Sequence, residues 1–317
     1  MPQSPKVLLL AYGQMAPPAL KSLLASYEVV SIITPPAGKN LYRSQIHLPV
    51  ETLARQHHIP IIKSDKFTDL EKVVKQYQPL AVLIASYHKV IPDSILGLCK
   101  FVNIHHGDLP RWRGRANVNW AIILGKKFIG LTFHQAIPDL DAGAIYAQYK
   151  IPITNLDTVK TVYDKINHHV LQHSSSVIRQ VLDGYVGKLQ QGQATYCITR
   201  LPQDGLIDWH QSSLQINRLV RALTHPYPGA FTYYNGKKMI IWETVIPPHP
   251  RRYITRIPGR ISLIHKGRGV EILTGNTSII ITSVTYGRQN GVASDFIKSV
   301  NASLGINLVE LYERSLR

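Results

Sequence analysis

The chain has 317 residues, enough for two domains at about 100–200 residues each. A hydrophobic share of 44% excludes the disordered and fibrous classes and matches a soluble protein with ordinary cores. Thirty-six Lys and Arg against 19 Asp and Glu leave a formal charge of +17, which favours anionic partners: nucleic acid, a nucleotide-bearing substrate or a membrane surface.

The first element is "KVLLLAY" (6–12), a short β-rich run. Its leader is too short and too soon interrupted by Gly13 and Pro17 for a signal peptide or membrane span, so a cytoplasmic protein is expected. Cys99 and Cys197 are too few for a metal knuckle or disulfide framework and fit a reducing compartment. "PPALKSLLAS" (17–26) predicts a helix with Pro at its start, where a missing N–H costs nothing. Strands and helices then alternate: "YEVVSIIT", a helix at 48–58, "IPIIK", a helix at 69–78, "LAVLIASY" (80–87), a helix near 92–98 and "KFVNIHH". Continuous apolar strands separated by helices predict βαβ units and a parallel sheet buried on both faces.

The first turn, "AYGQMAPP", lacks the Gly-x-Gly-x-x-Gly that lets a pyrophosphate approach a helix, which disfavours a nicotinamide dinucleotide. P-loop, His-Glu-x-x-His and Gly-x-Ser-x-Gly patterns are absent too. After a long helical stretch at 157–184 the pattern changes to a helix, "SLQINRLVRAL", followed by "PYPGAFTYY", "KMIIWETVI", "GRISLIH", "GVEILTG" and "SIIITSVTY". Short strands with Gly turns predict a small β-barrel. The expected division is residues 1–204 and 205–317.

Polar chemistry concentrates in "NIHHGDLPRWRGRANVNWAI" (103–122). Asn103 and His105 lie two apart at a predicted strand end, so their side chains leave one face while His106 leaves the other. A carboxamide beside an imidazole polarises a carbonyl and moves a proton, the two needs of acyl transfer to an amine. Asp141, in the Gly-bearing loop "PDLDAGAI", is a third candidate, placed to orient or charge the imidazole. Arg113 and Arg115, on the loop after that strand, suit anion contact; Trp112 between Arg111 and Arg113 is either apolar payload or a substrate flank. His106, His168, His169 and His225 read as surface or structural residues. No His, Cys and carboxylate set has metal-ligand spacing.

In order and spacing, Asn103-x-His105, Leu109-Pro110, the basic run 111–114, "NWAIILG", "GLTFH" (130–134) and "LDAGAI" (140–145) resemble the folate-dependent formyltransferases; "GLIDW" (205–209) and "HPYPGAF" (225–231) extend the likeness into the β-barrel of the longer members. The resemblance implies a Rossmann-like α/β catalytic domain with a smaller OB-like C-terminal barrel. It implies formyl transfer from 10-formyl-tetrahydrofolate to a primary amine, without metal. Asn103 then donates to the oxyanion, His105 stabilises it and shuttles a proton, and Asp141 charges His105 and helps deprotonate the amine. The folate is expected beside Ser86, Tyr87, His88, Val90 and Ile91 and the loop of Ile137, Pro138, Asp139 and Leu140. The acceptor is expected against Arg113, Gly114 and Arg115.

Two acceptors divide the evidence. Length, barrel, basic surface and the loop "PPAGKNLYRSQ" (35–45) are similar to methionyl-tRNA formyltransferases. Gly107-Asp108-Leu109-Pro110 and "PYPG" (226–229), however, depart from that subfamily toward the amino-sugar formyltransferases, which ranks a nucleotide-linked amino sugar first and methionyl-tRNA second. A third reading, a non-catalytic nucleic-acid-binding module, rests on the barrel and on the stretch 249–268, which carries six Lys and Arg and no acid.

Overall fold

The computed structural model describes residues 4–36 and 48–306, so most of the basic loop 35–45 lies outside the described residues. The chain divides into two compact units. One comprises 1–117, 127–153 and 161–199; the other comprises 118–126, 154–160 and 200–317.

The first unit carries strands β1 (Lys6–Ala11), β2 (Glu28–Thr34), β3 (Ile61–Lys63), β4 (Ala81–Ala85), β5 (Lys100–His105), β6 (Arg113–Gly114), β7 (Phe128–Gln135), β8 (Ile145–Pro152) and β9 (Tyr196–Cys197). Helices α1 (Ala16–Leu24), α2 (Leu48–Gln56), α3 (Phe67–Tyr77), α4 (Asp93–Leu96) and nearly all of α6 (Val159–Leu182) belong with them; α5 (Asn117–Ile123) falls between β6 and β7 in sequence but, past Asn117, belongs to the second unit. Seven strands form one sheet in the order β3-β2-β1-β4-β5-β7-β8, and β6 pairs separately with β9.

The five strands from β3 to β5 run parallel. Their central members are buried along their whole length: Val7 to Ala11 are fully inaccessible, and Ala81 to Ala85 nearly so. Only a strand covered on both faces tolerates such an unbroken apolar run. Helix α3 contributes Leu70, Val73 and Val74 to this core, and α6 turns a stripe of Val162, Ile166, Val170 and Val177 inward at helical spacing.

The expected parallel sheet is extended beyond β5 by two more strands. Strands β7 and β8 run antiparallel to their neighbours. An antiparallel neighbour needs no return of the chain to the starting end of the strand before it, and β7 runs back directly beside β5. That return sets Asn103 directly opposite His134, and His105 opposite Thr132.

The second unit holds α7 (Ser213–Leu223) and strands β10 (Ala230–Tyr234), β11 (Lys237–Ile241), β12 (Thr244–Val245), β13 (Ile261–His265), β14 (Gly269–Leu273), β15 (Ser278–Ile281), β16 (Ser283–Tyr286) and β17 (Gln289–Val292), ending in the single turn α8 (Ala293–Phe296). A capping box between Ser212 and Gln215 starts α7, which buries Ile216, Val220 and Leu223. The strands form two four-stranded sheets, β10-β11-β16-β17 and β12-β15-β14-β13. "KMIIWETVI" and "SIIITSVTY", each expected as one strand, both break: the chain passes from one sheet to the other at Trp242–Glu243 and at Thr282. Bends in adjacent strands turn a flat sheet into the corner of an OB-like barrel. Among the described residues, no helix is long and apolar enough to cross a membrane.

Candidate active site

A cavity of about 330 Å³ opens at the carboxyl ends of β1, β4 and β5, with Tyr12, Ser86, Asn103, His105 and His106 in its wall. The strand order reverses direction between β1 and β4. Open α/β sheets bind ligands at such a switch point, because loops on the two sides part there.

Asn103, His105 and Asp141 converge in this cavity. His105 Nδ1 lies 3.4 Å from Asp141 Oδ2, and both side chains are at least nine-tenths withdrawn from solvent. His105 Nε2 is 2.7 Å from the Trp112 carbonyl, which also accepts the Asn117 carboxamide N–H at 2.6 Å. A carbonyl only accepts, so Nε2 carries a proton, and Nδ1 is the nitrogen that faces Asp141. Gly107 makes this arrangement possible: a Cβ there would lie 2.5 Å from both His105 Nε2 and the Trp112 oxygen.

Burial lowers the His105 pKa, with Asp141 pulling it back up and His134 opposing. Burial pushes the Asp141 carboxyl up, but the neighbouring imidazoles of His134 and His105 and the Gly114 N–H outweigh it and hold the acid at about 2. His106 is a different case. Burial, with His105 adding to it, takes its pKa down to about 3, and its Nε2 sits 2.9 Å from the Met15 sulfur, edge-on to Tyr163. It is a neutral packing residue in the cavity wall.

Of the expected folate residues, Ser86, Tyr87, His88, Val90, Ile91, Ile137 and Leu140 line the cavity; Pro138 and Asp139 do not. Val90 and Leu140 leave about half of their surface exposed, apolar area that a flat ring would cover. Of the expected acceptor residues, Gly114 and Arg115 line the cavity, and Arg115 bonds a neutral carbonyl, that of His88. Arg113 turns away: its guanidinium donates to Gln190 Oε1 at 2.7 Å.

Several residues in this neighbourhood carried no signal in the sequence. Gln190 donates to the carbonyls of Asp141 and Gly143 at 2.8 and 2.9 Å, tying the loop of Asp141 to the segment after α6. The Gly114 N–H donates to Asp141 Oδ2 at 2.8 Å. These bonds hold Asp141 in a left-handed conformation, φ 51°, and Ser86, Trp112 and Ala116 around the cavity share that sparsely populated region. Each costs about 1–2 kcal/mol, tolerated where the surroundings over-determine the backbone. His134 is the other omission: its Nε2 is 2.9 Å from Asn103 Nδ2 and 3.6 Å from Asp141 Oδ1. Only the strand register brings it there, 31 residues away in sequence.

A doubly wound sheet with an amide, an imidazole and a carboxylate gathered at its switch point, followed by an OB-like barrel, is the architecture of an acyl-group transferase with an appended domain. The sequence profile of the formyl transferase family matches residues 14–178, and that of the formyl transferase C-terminal domain matches residues 201–301. The methionyl-tRNA formyltransferase of Geobacillus sp. (strain WCH70) is 30% identical over 313 residues, 96% of this chain and 97% of that protein. The bifunctional polymyxin resistance protein ArnA of Wigglesworthia glossinidia brevipalpis is 32% identical over 251 residues, 76% of this chain but only 38% of that longer protein. Among solved structures, the N-formyltransferase from Helicobacter canadensis, in complex with folinic acid and dTDP-3-aminofucose, aligns with a TM-score of 0.65 over 87% of this chain and 98% of its own. At 18% identity that likeness is one of fold. The chain belongs to the folate-dependent formyl transferase family.

Proposed function

We propose that the chain moves a formyl group from 10-formyl-tetrahydrofolate to the primary amine of a nucleotide-linked amino sugar. The observation that carries the reaction is the convergence of Asn103, His105 and Asp141 in one cavity, with His105 Nδ1 3.4 Å from the carboxylate. The cavity suits the donor: Val90, Ile91, Ile137 and Leu140 offer an apolar slot, lined also by Ser86 and Tyr87. When bound, the donor supplies an electrophilic formyl carbon.

The protein's own groups then act in sequence. Asn103 donates an N–H to the formyl oxygen as negative charge builds there. His105 takes the amine proton on Nδ1, and Asp141 stabilises the imidazolium so formed. Trp112 keeps Nε2 occupied, so the ring cannot turn its basic nitrogen elsewhere. That imidazolium lends positive charge beside the formyl oxygen and then gives its proton to the folate nitrogen, whose bond to the formyl carbon breaks as the new amide bond is retained, releasing tetrahydrofolate.

For the acceptor, Arg115 supports a phosphate-bearing molecule. It lines the cavity, is exposed, and bonds a neutral carbonyl, so its charge remains available to an anion. With Gly107-Asp108 and "PYPG" in the motif, this favours a nucleotide sugar. Methionyl-tRNA is the second reading, favoured by the arginines of the barrel unit and by the full-length Geobacillus relative. Incubation with the formyl donor and either a panel of nucleotide amino sugars or charged initiator tRNA tests the proposal; formylated sugar is expected, and formylation of the tRNA alone would reverse the ranking. On the donor side, a folate analogue at a hundredfold excess over its Kd should stabilise the fold by about 2.7 kcal/mol, whereas NAD should leave the melting temperature unchanged.

A further inference from the structure

Asn103 can serve as a donor only if its nitrogen, and not its oxygen, is delivered to the reacting group. A carboxamide is nearly symmetric in shape, and a half-turn about its terminal bond exchanges the two atoms. Turned the wrong way, Oδ1 would repel the charge that Nδ2–H is meant to stabilise.

His134 removes that freedom. It sits opposite Asn103 on the adjacent antiparallel strand β7, almost wholly buried, so the two side chains share one face of the sheet. Its Nδ1 is 2.8 Å from the Gln135 carbonyl, and its Nε2 is 2.9 Å from Asn103 Nδ2. The carbonyl of Gln135 can only accept, so Nδ1 carries the proton. A neutral imidazole has one N–H, and Nε2 is then a bare acceptor. Asn103 must meet that acceptor with an N–H.

The second partner of Nε2 agrees with this assignment. Asp141 Oδ1 is 3.6 Å away, beyond hydrogen-bond range. The other carboxylate oxygen, Oδ2, accepts the Gly114 N–H at 2.8 Å and lies 3.4 Å from His105 Nδ1, so Asp141 is placed by contacts other than His134 Nε2. The His105 ring stands edge-on to His134 with centroids 6.2 Å apart and makes no hydrogen bond to it.

We propose that His134 is a positioning residue: anchored through Nδ1–H to the Gln135 carbonyl, it presents Nε2 as the acceptor that fixes the Asn103 carboxamide, leaving the second Nδ2 hydrogen for the oxygen of the transferred group. The inference rests on Asn103 acting as a donor in the proposed reaction. It requires a histidine in one tautomer, and it requires His134 to act through Asn103 alone.

The first measurement needs neither a variant nor an acceptor. Imidazole 15N shifts of the histidine-labelled wild-type protein, taken at about pH 8 where neutral rings dominate, should report His134 with Nδ1 protonated and Nε2 bare. A proton on Nε2 would overturn the proposal. The second is a double-mutant cycle on turnover of whichever acceptor the wild-type protein formylates. His134→Phe keeps the ring volume and removes both bonds. It should lower kcat about ten- to hundredfold, short of the 10²–10³ for losing a donor outright, with the Kd for a folate analogue within about twofold. In the Asn103→Ala background the same substitution should cost nothing further; an equal loss in both backgrounds would mean that His134 acts independently. His134→Gln serves the cycle if the Phe variant does not fold. Should Asn103→Ala itself leave turnover unchanged, the donor role of Asn103 fails, and the nitrogen shifts alone decide the tautomer.

Discussion

In the cavity at the end of the sheet, His105, His134 and Asp141 are each at least nine-tenths buried, and every one is engaged by a named partner. In the barrel unit, Arg251, Arg252 and Arg256 stand exposed around a hollow of about 570 Å³ that no carboxylate lines. The first region has little net charge and strong constraint; the second has much charge and few side-chain bonds. Chemistry needs the former, because proton transfer and donor placement fail when groups move by fractions of an ångström. Loose attraction of an anionic surface needs only the latter. Substitutions in the two regions should therefore separate cleanly, one set altering turnover and the other altering salt-dependent binding.

The largest expected effect is in the cavity. His105→Ala and Asp141→Asn should each lower formyl transfer by about 10²–10³-fold or more, with circular dichroism and melting temperature close to wild type. Turnover within a few-fold of wild type in both would remove the mechanism. The pH profile carries the same information. Because burial lowers the His105 pKa, the neutral ring survives below the ordinary value of 6.5, and the acid limb of kcat should fall below that value too.

Constraint itself can be tested one shell further out. Gln190→Ala removes three hydrogen bonds, one from Arg113 and two to the carbonyls of Asp141 and Gly143. At about 0.5–1.5 kcal/mol each it should lower stability measurably, and release of the left-handed Asp141 should reduce kcat about tenfold. Gln190→Met, which keeps the length but not the bonds, should behave alike. A fall in melting temperature with kcat intact would restrict Gln190 to a structural role.

His106 tests burial without catalysis. Its folded pKa of about 3 lies below the ordinary 6.5, so the unfolded chain takes up the proton first as the pH falls. The stability it contributes is complete above 6.5 and is lost between there and about 3, at up to about 1.4 kcal/mol per pH unit. His106→Leu should flatten the change in urea midpoint between about pH 7 and pH 5, the remaining slope coming from His105, His169 and His173, whose pKa values burial also lowers.

What the sequence reveals divides along similar lines. Apolar runs such as "KVLLLAY" and "LAVLIASY" announce their strands, because full burial needs unbroken hydrophobicity, and the Asn103-x-His105 spacing places both side chains on one face by period alone. The return of β7 beside β5 is not written in any local pattern, and with it His134 stays hidden: "GLTFH" reads as a strand whatever its partner. Gln190 and the Trp112 carbonyl are hidden for the same reason, since a glutamine in a loop and a backbone oxygen carry no signal until tertiary structure aims them. In the barrel, "SIIITSVTY" reads as one strand because β-branched residues continue across Thr282, yet closure requires a bend there.

The smallest expected effect discriminates between the acceptors. Arg251, Arg252, Arg256 and Arg260 all lie in the barrel unit, and the first three line its hollow. A tRNA held by several phosphates releases counterions, so its affinity should fall by about 0.7–0.9 log units per contact per decade of salt, and removing four arginines would flatten that slope as well as weaken binding. A nucleotide sugar meeting Arg115 in the cavity carries two phosphates at most and has little to lose from a change in the other unit. The quadruple Ala variant is therefore expected to formylate an amino-sugar nucleotide at the wild-type rate, with the same modest salt dependence. Steeply salt-sensitive formylation of methionyl-tRNA by the wild-type protein, collapsing in the variant, would make the arginines of the barrel part of substrate recognition and erase the separation between the two regions.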